Sequence, residues 1–213
     1  RAVADYPQVQ VIGVHGEHYH NAGGTLVQEL GFALAEGAAY MTALTESGLS
    51  PDAAAQAIKF NLAVGSVYFM EIAKVRAARM LWSRIVEAYQ PKELNNAKMN
   101  IHSITSDWNK TVYDPYVNMI RTSTEAMSAV IGGVESLTVK PYDSIYRSPS
   151  EFSERIARNQ QIILKEESHF DKVADPSGGA YYIETLTASL AENAWNIFLE
   201  VQDKGGFTEA FRT

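Results

Sequence analysis

The sequence contains no cysteine, which removes disulfides and thiolate metal sites from its chemistry. That composition fits a reducing compartment, and a cytoplasmic location is expected. It also has no run of about 18 apolar residues, the length needed to span a bilayer. Its first residues, Arg1-Ala2-Val3-Ala4-Asp5-Tyr6, lack the apolar centre of a signal peptide. No membrane partner is expected. Basic residues are scarce as well: 18 Lys and Arg stand against 25 Asp and Glu, giving a net charge of −7. Nucleic-acid phosphates are bound by clustered cations, so no nucleic-acid partner is expected. A polyanionic ligand would need a local cationic patch working against the global charge. What is present is apolar content, 46% of residues, enough for a sizeable core. The chain starts without methionine and reads like the interior of a longer polypeptide.

Short β-branched runs alternate with longer segments of helical spacing. Residues 9–14, 58–64, 99–104 and 134–139 read as strands, being short, apolar or β-branched, and bounded by polar residues. Between them, residues 25–47 carry Leu26, Leu30, Leu34, Ala38 and Met41 at helical spacing, and Gly48 is placed to end that helix. Ser50-Pro51 supplies a cap and a first-turn proline for another. Residues 66–89, 115–130, 151–168 and 181–204 are further helices, and Gly132-Gly133 stops the second of these. Four βα units of this kind imply a parallel sheet. A closed (β/α)8 barrel needs eight. The pattern therefore leaves either an open α/β sheet or half a barrel.

Sites in parallel α/β proteins sit at the C-terminal ends of strands, so four loops matter. The first runs from His15 to Gly24 and holds three of the five histidines, His15, His18 and His20. Only Glu17 accompanies them, and there is no His-Glu-x-x-His arrangement, so no metal is expected. A histidine donating to a substrate carbonyl and a merely solvated loop stand level. In the second loop Gly65 permits a close backbone approach and Ser66 is placed to cap the next helix. The third loop offers Thr105 and Ser106. The fourth offers Lys140, which would meet an anion. On the helix of residues 66–89, Glu71 and Lys74 are spaced to pair. Composition and pattern stop at an α/β unit with a polar, His-rich loop.

Several stretches resemble the methylmalonyl-CoA mutase family. They are residues 69–82, from Phe69-Met70-Glu71-Ile72 to Arg79-Met80-Leu81-Trp82; Arg121-Thr122 with Glu125-Ala126-Met127 and Gly132-Gly133; Arg155-Ile156-Ala157-Arg158-Asn159-Gln160-Gln161; and Asp175-Pro176-Ser177-Gly178-Gly179-Ala180-Tyr181-Tyr182. They run the length of the chain in order. The resemblance implies a TIM barrel that binds a CoA ester through its axis, with this chain as its second half, about four βα units forming a partial domain. The first half-barrel and a flavodoxin-like domain carrying adenosylcobalamin would lie outside these residues. It further implies a radical isomerase interconverting methylmalonyl-CoA and succinyl-CoA, in which the protein orients substrate and excludes water.

The departures from the family pattern define the expected role. The family's Gly-Tyr-His-Met-Gln-Glu-Ala-Gly-Ala is here Gly16-Glu17-His18-Tyr19-His20-Asn21-Ala22-Gly23-Gly24, so His18 takes the position of the carbonyl-contacting histidine without a gap, and His20 takes it if the loop is shortened. The Gln of His-x-Gln-Thr-Ser-Gly-Trp is replaced by Ile104. After the fourth strand, Thr138, Lys140 and Ser144 stand where the family has His, Asn and Glu. Candidate catalytic or vestigial residues are therefore His18 and His20. Candidate substrate-binding residues are Lys92, Thr105, Ser106, Ser136 and Lys140. A kept scaffold with an eroded site resembles the small subunit of the two-chain bacterial enzyme, a non-catalytic partner of a large catalytic subunit. The rival readings are an active mutase of altered acyl specificity and a stand-alone binding module. A half barrel would expose two strand edges, so self-association is expected of these residues alone.

Overall fold

The computed structural model describes residues 9–93, 95 and 98–212. Four strands, β1 (Ile12–His15), β2 (Ile58–Val64), β3 (Asn100–Thr105) and β4 (Ser136–Thr138), form one sheet in that order, every pair parallel. Sequential order is the decisive feature. A doubly wound sheet reverses its strand order to place helices on both faces. Here each crossover adds the next strand on the same side, and with the right-handed connections usual for parallel strands the helices cover one face and leave the other as the inner wall of a barrel. This is an α/β fold with the architecture of half a (β/α)8 barrel.

The helices are α1 (Gly16–Asn21), α2 (Leu26–Glu46), α3 (Pro51–Ala57), α4 (Tyr68–Ala88), α5 (Val117–Gly132), α6 (Glu151–Glu166), α7 (Tyr181–Asp203) and α8 (Phe207–Arg212). Thr25 and Gln28 form a reciprocal capping box on α2, and Ser50 caps α3 ahead of Pro51. Gly133 ends α5 in the left-handed conformation. Helices α2, α4 and α5 pack side by side behind the sheet, and α7 lies across α2 and α4. That crossing is close: a Cβ on Gly31 of α2 would stand 2.6 Å from Cγ2 of Ile197 on α7.

The core fills the gap between sheet and helices. Ile58, Phe60, Leu62 and Val64 of β2 point into it, at most 2% exposed, and Phe60 meets Trp82 of α4 edge to face at 4.6 Å. A smaller cluster of Ala126, Val139, Ala157 and Leu164 ties α6 to the β4 side.

Four sequence expectations change. Strand β1 starts at Ile12 rather than Val9, because pairing begins only where β2 does, at Ile58. Strand β4 shrinks to three residues, because the amide of Val134 is used on the carbonyl of Ala129 to close α5, and Val139 turns into the smaller cluster. The His-rich loop is largely a short helix, α1. Ser66 does not cap α4. The residue preceding that helix is Val67, which has no side-chain cap, and Glu71 of the first turn instead accepts from the amide of Gly65 at 2.8 Å.

Candidate functional site

The inner face of the sheet is polar. Register places His15, Asn61, His102 and Ser136 in one layer across the four strands. Gly13, Lys59 and Asn100 form the layer below, and Ala63, Ile104 and Thr138 the layer above. In β3 the alternation is clean: Ile101, Ser103 and Thr105 are buried against the helices, while Asn100, His102 and Ile104 are part-exposed on the inner side. His102 is tied along the sheet, with Nδ1 2.7 Å from Ser136 Oγ and Nε2 3.0 Å from Thr138 Oγ1. Burial lowers the His102 pKa, helped by the positive charge of Lys59, so the ring is held neutral. TIM-barrel interiors are ordinarily packed with branched apolar side chains. Small and polar residues at these positions instead leave a wall suited to a polar ligand.

Behind the C-terminal end of β2 lies a second polar region, closed to solvent. Glu29 of α2 accepts from the amide of Ala63 and from Lys74 Nζ, both at 2.7 Å. Lys74 also donates to the carbonyl of Ala63 and lies 2.7 Å from Glu71. Glu29, Glu71 and Lys74 are at most 2% exposed. Burial pushes the Glu29 carboxyl up to about 7, against the pull of Lys74. Burial acts to lower Lys74, but the two carboxylates outweigh it and the net shift is upward. Two acids and one ammonium thus clamp the backbone where β2 ends.

The candidate residues separate between these regions. His20 packs on the closed side: its Nε2 lies 2.7 Å from Ser106 Oγ, and its Nδ1 lies 3.8 Å from Glu29 Oε2 without a hydrogen bond. Burial, with Lys74 next, lowers its pKa and keeps it neutral. Ser106, 1% exposed, also accepts from the amide of Trp108, so its hydroxyl is fully engaged. Thr105 faces the helices, fully buried, and its hydroxyl accepts from the amide of Lys140 at 2.8 Å. His18 instead is exposed on α1, its ring stacked on that of His15 at 5.1 Å. Lys140 forms an ion pair with Asp107, so its anionic partner comes from the chain itself. Ser136 lies in the inner layer. Lys92 is not brought near any of these. It follows α4 and precedes β3, at the N-terminal end of the strands, where its amide donates to Asp52 at 3.0 Å.

Asn61 and Glu29 carry as much of this architecture as the histidines, yet neither stands out as a motif. The available signal was the polar alternation Lys59-x-Asn61 and Asn100-x-His102 in strands that, if buried on both faces, would be apolar throughout.

The fold and this inner wall define half of a parallel βα barrel. Residues 2–213 match the methylmalonyl-CoA mutase family, and the chain belongs to that family. It is 54% identical over its whole length to the methylmalonyl-CoA mutase small subunit of Porphyromonas gingivalis, covering 34% of that protein. It is 45% identical to the methylmalonyl-CoA mutase of Rhizobium meliloti, over 97% of this chain and 29% of that protein. To the Porphyromonas gingivalis large subunit it is 42% identical, over 97% of this chain and 29% of that protein. The chain thus spans about a third of the length of the curated relatives it matches. Among the described residues, no helix is long and apolar enough to cross a membrane.

The adenosylcobalamin implied by the resemblance would meet cations here that are already paired within the chain. In the segment after β4, Lys140 is paired with Asp107, and Asp143, 0% exposed, is bonded to Arg147. Lys140 and Arg147 are thereby paired within the chain, while Asp143 Oδ1 stays buried without a hydrogen-bond partner.

Proposed function

We propose that residues 1–213 form the second half of the acyl-CoA barrel of a methylmalonyl-CoA mutase small subunit, a non-catalytic partner of the large catalytic subunit. The observation that carries the reading is the self-pairing of most of the candidate groups, with His18 left exposed. His20 is consumed by Ser106 and Lys140 by Asp107, while Ile104 presents no hydrogen bond at all. A catalytic site needs such groups preorganised toward the reacting atoms rather than toward each other. The similarity to a relative named as a small subunit supports the same reading. In the assembled enzyme, cobalamin and the radical isomerisation of methylmalonyl-CoA belong to the large chain.

One observation favours retained acyl-CoA binding without turnover: the polar inner wall of His15, Asn61, His102 and Ser136 persists. Co-purification of the full-length chain with the large subunit tests the partnership. Stable co-elution is expected. Failure to associate with any mutase subunit would favour a stand-alone binding module.

A further inference from the structure

The structure assigns a divalent transition-metal site, of the Zn2+ class, to His15, Glu17 and His18 at the mouth of the barrel. Spacing along the chain gave no reason to expect it; the fold does. His15 ends β1 on the inner face, and Glu17 and His18 follow in the first turn of α1. His15 Nδ1 lies 2.8 Å from Glu17 Oε1, and His18 Nε2 lies 3.8 Å from the same oxygen. One donor atom from each residue falls within 4.8 Å of the others. Zinc bonds of about 2.0–2.1 Å in a tetrahedron set donor separations of roughly 3.3 Å, so small side-chain rotations close this triangle on an ion.

Two further features favour an ion over an ordinary His–Glu hydrogen bond. Glu17 is only 7% exposed, and its Oε2 is buried without a hydrogen-bond partner. A buried carboxylate with an oxygen left unpaired is costly, and a cation bound at this carboxylate offsets that cost. Also, Gly13 clears the space for the first ligand: a Cβ there would stand 2.9 Å from His15 Nε2. Imidazole and carboxylate donors suit Zn2+, Cu2+ or Ni2+ rather than Ca2+ or Mg2+. Three protein ligands leave a fourth position open, the pattern of zinc sites that exchange a water for another ligand. His15 and His18 are half- and three-quarters exposed, at 49% and 74% for their side chains, so an ion has access.

The test is Zn2+ titration of the metal-stripped, cobalamin-free, full-length chain in competition with a chromophoric chelator. One Zn2+ per chain is expected at micromolar affinity or tighter. His15→Ala and His18→Ala should each weaken it by at least about tenfold. Glu17→Gln, which keeps the buried shape, should do the same. His169→Ala, a remote exposed histidine, should leave it unchanged. His18→Ala removes an exposed side chain and retains the fold, which circular dichroism verifies. Absence of binding below millimolar Zn2+, or an unchanged affinity in the His15 and His18 variants, would overturn the assignment.

Discussion

The two polar regions flanking β2 are separated by the thickness of one strand and are built on opposite principles. On the helix side, Glu29, Glu71 and Lys74 are fully buried and aimed at each other and at the backbone of Ala63 and Gly65. On the barrel side, Asn61 and His102 are part-exposed and occupy one layer of an open wall. Charge that is sealed and internally paired fixes a backbone. Polar groups left facing a cavity are available to a ligand. His18 and His20 show the same division at two residues' distance. Helical geometry turns His20 inward to Ser106, while His18 stays at the mouth beside His15.

Breaking the sealed region should have the largest effect. Lys74→Met leaves two buried carboxylates without their cation and should destabilise the full-length chain by about 3–5 kcal/mol, read as a fall in the urea midpoint. A loss below about 1 kcal/mol would show that the cluster is solvated rather than sealed. A smaller effect should follow pH. The folded-state pKa of His20 is lowered, so below the unfolded value of about 6.5 the unfolded state binds more protons and stability falls as pH drops. Glu29 acts in the opposite sense. Its folded pKa is raised to about 7, so it loses stability as pH rises toward that value. The difference between wild type and His20→Gln isolates the histidine: the variant should lose less stability than wild type between pH 7 and pH 5.5. Equal losses would mean that His20 is protonated as readily in the folded chain as in the unfolded one. The smallest effect belongs to the open wall. His102→Leu removes two part-exposed hydrogen bonds and should change stability by no more than about 1 kcal/mol, while weakening any CoA ester bound at the wall. A loss as large as that of Lys74→Met would erase the distinction between the two regions.

Much of this was legible in the chain. Strand β2 matches its expected bounds, residues 58–64, because a helix capped at Ser50 feeds it and Gly65 ends it. The Glu71–Lys74 pair follows from helical spacing. What was not legible depends on long-range register. Thr105 and Ser106 look like ligand-binding residues in any loop, but strand alternation turns Thr105 toward the helices and His20 claims Ser106. Lys92 looks like a free cation until the strand direction places it at the wrong end of the sheet. Glu29 lies 45 residues from Lys74, and no local pattern joins them.

Among the described residues the sheet ends on β1 and β4, each with one side unpaired by another strand. Residues 1–213 alone should sediment as an oligomer, because those edges pair elsewhere in a complete barrel. A well-behaved monomer would show that the half barrel protects its own edges.

The most direct test of the non-catalytic reading is turnover of methylmalonyl-CoA by the full-length chain with adenosylcobalamin, first alone and then with the large subunit. No turnover alone and full activity in the pair is the predicted result. Turnover by this chain alone would contradict it, and would mean that the open wall does chemistry as well as shape the barrel.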